Sequence, residues 1–143
     1  MKQHVLSYSL DELPVAARAL YQCLSQVKIV ALMGGLGLGK TTLIKELLLQ
    51  CGIYDVVQSP TFTYVSIYTN AMGDRFYHFD LYRIRSMQEF LQQGFGEYLY
   101  EPHSCTIIEW PEVILPLLTH KTCFVQLEYV NDESRCMRYY CVE

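Results

Sequence analysis

The 143-residue sequence is short of basic residues. Eleven lysines and arginines stand against fifteen aspartates and glutamates, so the formal net charge is −4 and the isoelectric point is near 5.5. Proteins that hold DNA or RNA through a basic face have the opposite balance, because each phosphate contact needs a cation. The composition therefore argues against a dedicated nucleic-acid-binding domain, although it leaves room for a local basic patch.

The sequence also lacks C-x-x-C pairs and any cysteine–histidine cluster at the spacing of a tetrahedral zinc site. Its six cysteines are scattered, at positions 23, 51, 105, 123, 136 and 141. The first ten residues, MKQHVLSYSL, contain no apolar segment of the kind that directs export. We therefore expect reduced cysteines, mostly in the core, and not a disulfide framework.

Long apolar runs, internal repeats and low-complexity segments are missing as well. The longest apolar runs, such as 29–33, span a few residues, whereas a membrane-spanning helix needs about 20. A chain of this length usually forms one domain, with a core that holds without metal or disulfide. The sequence predicts one cytoplasmic domain over residues 1–143 and no membrane association.

Aromatic residues, by contrast, are abundant. The sequence has twelve tyrosines, six phenylalanines and one tryptophan, and eight of these residues lie between positions 54 and 82. Tyrosine is enriched at protein interfaces. Part of this aromatic cluster is therefore expected to be exposed as a docking face.

Hydrophobic periodicity predicts a compact α/β fold of about seven strands. After a short extended segment, strands are expected at 27–33, 62–69, 75–80, 105–109, 122–130 and 135–142. Helices are expected from an Asp11 cap onward, over 41–50 before Gly52, and from a capping box at 86–89 to Gly94. The continuous apolar runs are typical of buried parallel strands. The expected architecture is a central, mostly parallel sheet with helices on both faces and a C-terminal antiparallel pair.

Residues 34–41, GGLGLGKT, match the phosphate-binding P-loop pattern G-x-x-x-x-G-K-[ST]. The glycines let the backbone wrap around phosphate oxygens, and the following helix presents its positive end to the same anion. Lys40 would supply charge to the β- and γ-phosphates, and the Thr41 hydroxyl would ligate the bridging Mg²⁺. The pattern predicts a P-loop NTPase fold and nucleotide binding; the alternative is a glycine turn with a purely structural role.

A P-loop enzyme also needs a carboxylate at the end of a buried strand. Asp80 ends the segment RFYHFD and Glu109 ends CTIIE, and spacing alone does not choose between them. His78 fits a core histidine, or one supporting a site residue, better than a metal ligand, because no partner ligand lies at zinc spacing. Arg83 and Arg85 favour a solvated turn over an arginine finger.

A polar turn, Gln58 to Thr61, precedes the first aromatic segment. Such a loop can act as a switch that senses the γ-phosphate. On pattern alone, an ordinary Ser-Pro turn is favoured.

Together these segments resemble the TsaE family, small bacterial ATPases needed for the threonylcarbamoyladenosine modification of tRNA next to the anticodon. The resemblance runs from about residue 9 to about residue 138. The motifs that carry it, in the family's order and spacing, are GGLGLGKTT at 34–42, SPTFTYV at 59–65, YHFDLYR at 77–83, GFGEYL at 94–99 and IEWPE at 108–112.

The resemblance implies ATP and Mg²⁺ as cofactors and assigns roles to individual positions. The residues implied to bind ATP are Gly35, Leu36, Gly37, Leu38, Gly39, Lys40, Thr41, Thr42 and Arg135. Thr41 and Glu109 would hold the magnesium, and Asp80, Lys40 and Glu109 would be catalytic. Ser59, Pro60 and Thr61 would form the switch, which reverses the preference for an ordinary turn.

Two positions depart from the family pattern. Gly35 stands where the family usually has aspartate, and Leu38 where it usually has alanine. Both are variable positions of the P-loop, so phosphate binding should survive, and position 35 supplies no acid that could tune hydrolysis.

The resemblance implies a slow ATPase that acts through TsaB- and TsaD-like partners and meets tRNA only indirectly. The alternative is a small-molecule P-loop kinase. Such kinases usually close an arginine-rich lid, whereas Lys121 is the only lysine or arginine between residues 86 and 134. A third possibility is a nucleotide-binding module that hydrolyses little.

Overall fold

A computed structural model describes residues 2–143 and contains one seven-stranded sheet. The strands are β1 (His4–Ser9), β2 (Ile29–Met33), β3 (Val65–Thr69), β4 (Arg75–Asp80), β5 (Ser104–Glu109), β6 (Thr122–Asn131) and β7 (Ser134–Val142). The α-helices are α1 (Leu13–Cys23), α2 (Lys40–Gln50) and α3 (Met87–Gln92). The 3₁₀ helices cover Leu10–Glu12, Phe95–Tyr98 and Pro111–Leu117.

The strands lie side by side in the order β1-β7-β6-β2-β5-β4-β3. The four central strands, β6, β2, β5 and β4, run parallel to one another. Strand β3 pairs antiparallel with β4, and β7 pairs antiparallel with both β6 and β1. The predicted fold class, including the C-terminal antiparallel pair, is confirmed.

Each face of the sheet packs against helices. On one face, α1 and α2 bury alanine and leucine side chains such as Ala17, Leu20 and Leu47 against β2, β5 and β6. On the other face, Phe90 of α3 and Ile114 of the last 3₁₀ helix pack against β4 and β5. No helix in residues 2–143 combines the length and apolarity that crossing a membrane requires.

Three predicted boundaries are wrong. Strand β2, predicted from residue 27, begins at Ile29. Asp11 does not cap the first helix, because it lies inside the 3₁₀ helix Leu10–Glu12, and the residue at the N-cap of α1 is Glu12. Ser9 is the N-cap of the 3₁₀ helix, and its backbone N–H donates to the Glu12 carboxylate at 2.9 Å. The strand predicted from residue 62 begins at 65. Tyr64 has a left-handed backbone (φ 67°) and donates its N–H back to Pro60, so residues 61–64 form a turn despite their β-favouring side chains.

All six cysteines are free thiols, as expected. Cys105, Cys123 and Cys136 are buried, and the other three are half-buried. Hydrogen bonding with the Cys123 thiol lowers the pKa of Cys23 to about 6, against the opposing effect of burial. The core role predicted for these residues holds for the three buried ones.

Candidate functional site

The glycine-rich segment 34–39 connects the buried strand β2 to the first residue of α2, Lys40. Gly37 and Gly39 have φ angles of 75° and 92°, which residues with a Cβ rarely adopt. Gly39 is the N-cap of α2, so the loop ends where the backbone N–H groups of the first helical turn have no helical partner. The segment therefore has the strand, loop and helix that the P-loop pattern requires.

Lys40 is almost fully buried, at 5% exposure. Its Nζ donates to the Gly34 carbonyl at 2.6 Å and lies 3.3 Å from the ring centroid of Trp110. Burial lowers the pKa of Lys40, and the carboxylates of Glu109, Glu112 and Asp80 oppose that shift. The ammonium is thus held inside the loop by a carbonyl and an aromatic face.

The indole contact was not predicted from the sequence, in which Trp110 simply follows Glu109. Trp110 has a left-handed backbone (φ 58°) and precedes Pro111. This turn directs the indole toward α2. A tryptophan between the strand-ending acid and a proline was the only signal available.

Sheet register brings the two candidate acids together. In the parallel pairing of β4 with β5, Asp80 is the direct partner of Glu109. Both side chains are buried, at 8% and 3% exposure. Parallel neighbours end at the same sheet edge, and here that edge also carries the P-loop after β2.

Hydroxyl groups connect both acids to their surroundings. The Thr41 hydroxyl donates to Glu109 Oε1 at 2.9 Å. The Ser59 hydroxyl bonds to Asp80 Oδ2 and lies 3.4 Å from Glu109 Oε2. Asp80 Oδ1 accepts the backbone N–H of Tyr82 at 3.0 Å. One polar network therefore links the P-loop helix, the 58–61 loop and the ends of two strands.

His78 orients the Glu109 carboxylate through a buried hydrogen bond. Its Nε2 lies 2.7 Å from Glu109 Oε2, and the imidazole is fully buried. Because a carboxylate can only accept, Nε2 donates this hydrogen bond; Nδ1 finds no partner among residues 2–143. His78 is therefore a buried histidine that contacts a site residue.

Most of the predicted site residues line one of two neighbouring cavities. A cleft of about 380 Å³ is lined by Leu36, Gly37, Leu38, Gly39, Lys40, Thr41, Thr42, Ser59, Asp80, Glu109 and Trp110. Gly35 belongs to the same loop without lining that cleft. Pro60 and Thr61 line a neighbouring hollow with Phe62, so of the proposed switch only Ser59 enters the cleft.

Arg135 reaches the P-loop from β7. Its Nε donates to the Leu38 carbonyl at 3.2 Å, and its guanidinium also bonds to the carbonyls of Asn131 and Ser134. Arg138, the other arginine of this region, pairs instead with Glu128. The contact of Arg135 is with loop backbone.

Comparison with known sequences points to one family. A sequence model described as "Threonylcarbamoyl adenosine biosynthesis protein TsaE" matches residues 7–137. A curated relative from Treponema pallidum, named tRNA threonylcarbamoyladenosine biosynthesis protein TsaE, is 35% identical over 78% of this chain and 81% of its own length. The protein of the same name from Rickettsia conorii is 38% identical over 92% of this chain and 74% of its own length.

A solved structure shares the fold. It is described as the crystal structure of Bacillus subtilus YdiB and aligns with a TM-score of 0.73 and 24% identity, covering 99% of this chain and 87% of that one. At this identity the likeness supports the architecture alone. The family match over most of the chain and the identities of the curated relatives go further: the chain belongs to the TsaE family.

Proposed function

We propose that this protein binds ATP with Mg²⁺, hydrolyses it slowly, and is required for forming the threonylcarbamoyl group on the adenosine next to the anticodon of tRNA. The observation that carries the proposal is the hydrogen bond from Thr41, in the first turn after the P-loop, to the buried strand-end acid Glu109. Phosphate-binding loops with this accompaniment belong to enzymes that act on nucleotides. Family membership supplies the link to tRNA.

The residues at the cleft suit ATP and Mg²⁺. Gly37 and Gly39 leave the loop free of side chains where phosphate oxygens would approach, since no heavy atom lies within 4 Å of a Cβ built at either glycine. The side-chain donors of Thr41 and Glu109 are oxygens only, which Mg²⁺ prefers. When bound, Mg²⁺ offsets the phosphate charge. Thr41 and Glu109 would hold it, and Lys40 would contact the β- and γ-phosphates.

Asp80 is the better candidate for orienting a water molecule. Glu109 is already engaged by Thr41 and His78, whereas Asp80 is held by Ser59 and the Tyr82 N–H at the same sheet edge. Because Ser59 contacts both acids, movement of the 58–61 loop would change how both carboxylates are presented. This coupling supports a switch role for Ser59, with Pro60 and Thr61 setting the loop's shape.

Arg135, on β7, would stabilise the backbone of the P-loop. Its hydrogen bond to the Leu38 carbonyl steadies the backbone that would surround the phosphates. The nucleotide-binding unit would therefore extend from the P-loop to β7, in keeping with a single domain over residues 1–143.

We further propose that the ATPase acts through TsaB- and TsaD-like protein partners and contacts tRNA only indirectly. The net charge of −4 gives no broad cationic face for RNA. Three of the eight clustered aromatics, Tyr54, Phe62 and Tyr82, are exposed, so the expectation that part of the cluster is exposed is confirmed.

Phe62 and Tyr82 each lie next to a residue that lines the cleft, Ser59 and Trp110 respectively. We use the name aromatic patch for Val56, Phe62, Tyr82 and Arg83. Arg83 lies over the Phe62 ring at 4.9 Å, Val56 and Phe62 line the hollow that also contains Ser59, and the Tyr82 ring is 5.0 Å from Trp110. A partner seated on this patch would contact both the 58–61 loop and the residue that supports Lys40.

Replacing Phe62 by alanine is expected to weaken partner binding by about tenfold or more and leave ATP affinity unchanged. An exposed aromatic at an interface centre contributes about 2 kcal/mol or more, and Phe62 does not line the nucleotide cleft. Calorimetric titration with the reconstituted partner complex measures the effect. Tyr21→Ala, at an exposed aromatic on α1, is the control. Equal loss in both variants, or none in Phe62→Ala, would contradict the patch assignment.

The function is tested by depleting the protein in the cell that makes it and digesting total tRNA for nucleoside analysis. We expect threonylcarbamoyladenosine to disappear and to return with the wild-type gene or Lys45→Ala, a change at an exposed lysine of α2. Lys40→Ala should not restore it. Unchanged modification after depletion would refute the proposed role in tRNA while leaving nucleotide binding to be judged by itself.

A further inference from the structure

Three of the six cysteines converge at a place remote from the P-loop. Cys23 is the last residue of α1, Cys123 lies near the start of β6, and Cys141 lies near the end of β7. Cys123 and Cys141 are direct cross-strand partners in the antiparallel β6–β7 pair. The three sulfur atoms all lie within 4.8 Å of one another. We call these residues the thiol triad.

The triad is the only group of three or more potential side-chain ligands that converges this closely in residues 2–143. Cys123 is fully buried, and Cys23 and Cys141 are half-buried. The site is thus anchored in the core yet open to an entering ion. The three thiols come from α1, β6 and β7, so any ligand they share would tie the helix to the sheet.

We propose that Cys23, Cys123 and Cys141 bind one thiophilic d¹⁰ metal ion. Tetrahedral coordination with Zn–S bonds of about 2.3 Å places sulfurs about 3.8 Å apart, so closing the triad requires each S···S distance to shorten by about 1 Å at most. Soft thiolate ligands select Zn²⁺ and Cu⁺ over harder cations such as Mg²⁺. Each thiol that coordinates gives its proton to solvent.

Two ions share this chemistry and are distinguished by coordination number. Cu⁺ would be satisfied by the three sulfurs alone. Zn²⁺ would complete four-coordination with a water molecule, which the half-exposed side of the site can admit. The triad lines no part of the proposed nucleotide cleft, so the inference stands or falls independently of the proposed ATPase function.

The first test uses the whole wild-type protein, reduced with a phosphine and stripped of metal by a chelator. Competition with a chromophoric chelator is expected to give one Zn²⁺ or one Cu⁺ per chain. In a hundredfold excess of metal over the dissociation constant, the unfolding midpoint should rise by about 10 °C, because the ion binds only the folded chain. The metal should also slow alkylation of Cys23 and Cys141 by about tenfold or more, measured for each cysteine by mass spectrometry.

Serine variants locate the ion. Cys23→Ser and Cys141→Ser should each weaken metal affinity by about a hundredfold or more, since even the loss of a residue that only supports a ligand costs 10–100-fold. Cys51→Ser changes a half-buried thiol outside the triad and should bind metal as the wild type does. For each variant, the unfolding midpoint with metal is compared with the midpoint of the same variant without metal. A variant that is less stable without metal is therefore not mistaken for one that has lost metal binding.

The results decide the proposal clearly. Saturation by Zn²⁺ alone, or by Cu⁺ alone, supports it and identifies the ion. No binding of either ion by the reduced protein overturns it. Equal loss of affinity in Cys51→Ser and Cys23→Ser overturns it as well, because the ion would then be held by cysteines in general.

Discussion

Replacement of Lys40 by alanine is expected to reduce ATP affinity by about a hundredfold or more. The ammonium is the one lysine charge buried in the P-loop cleft. Each hydrogen bond to a charged group is worth about 1.5–3 kcal/mol, and a lysine that reaches two phosphates would make two of them, at about 1.4 kcal/mol for each tenfold change. Titration of a fluorescent ATP analogue, monitored by fluorescence anisotropy, measures the loss.

Lys45→Ala is the matched control for this experiment, because Lys45 is exposed on the same helix. It should bind the analogue like the wild type, apart from a small electrostatic effect. Removing Lys40 also removes a cation from above the Trp110 ring, so the thermal midpoint of both variants should be recorded. A folded Lys40→Ala protein with wild-type affinity or normal turnover would refute the ATPase proposal.

The second large effect is expected at Glu109. Changing Glu109 to glutamine keeps an oxygen for the Thr41 hydroxyl and removes the negative charge proposed to face the metal ion. The wild type should bind ATP more tightly with Mg²⁺ than with excess chelator, and this preference should fall by about tenfold or more in Glu109→Gln, because a hydrogen-bonded charge is worth about 1.5–3 kcal/mol. Binding titrations with and without Mg²⁺ give the ratio without relying on turnover.

Glu97→Gln provides the comparison for Glu109. In the wild type, the Glu97 carboxylate is exposed on the 3₁₀ helix Phe95–Tyr98 and lies outside the cleft. The Glu97→Gln variant should prefer ATP with Mg²⁺ over ATP with excess chelator as strongly as the wild type does. If Glu109→Gln retained the full preference while Asp80→Asn lost it, the metal-holding role would move to Asp80.

Much of the candidate site could be predicted because its features are local. A buried run, a glycine-rich loop and a helix follow one another between residues 29 and 50, and each has its own sequence pattern. The acids Asp80 and Glu109 could be found because each ends an apolar strand. That they are direct partners required the strand order β2-β5-β4, which periodicity alone does not specify.

Other features depended on contacts between distant segments. Cys23, Cys123 and Cys141 have no meaningful spacing in the sequence and meet only because the last residue of α1 lies beside the β6–β7 pair. Arg135 reaches Leu38 across 97 positions of sequence separation. The turn at Tyr64 overrode the β-propensity of its neighbours, since its backbone hydrogen bond to Pro60 is a local alternative to strand pairing.

The register of β4 against β5 also limits which changes in chain length the protein can accept. Side chains alternate between the faces of a strand, so His78 and Asp80 face one side while Phe79 faces the other. Inserting one residue in β4 ahead of His78 would send the two polar side chains into the Phe90 core and bring Phe79 to Glu109. An insertion in the exposed turn at 71–73 would leave that pairing untouched. Length variation among descendants of this gene should therefore accumulate in the turn and be purged from the strand.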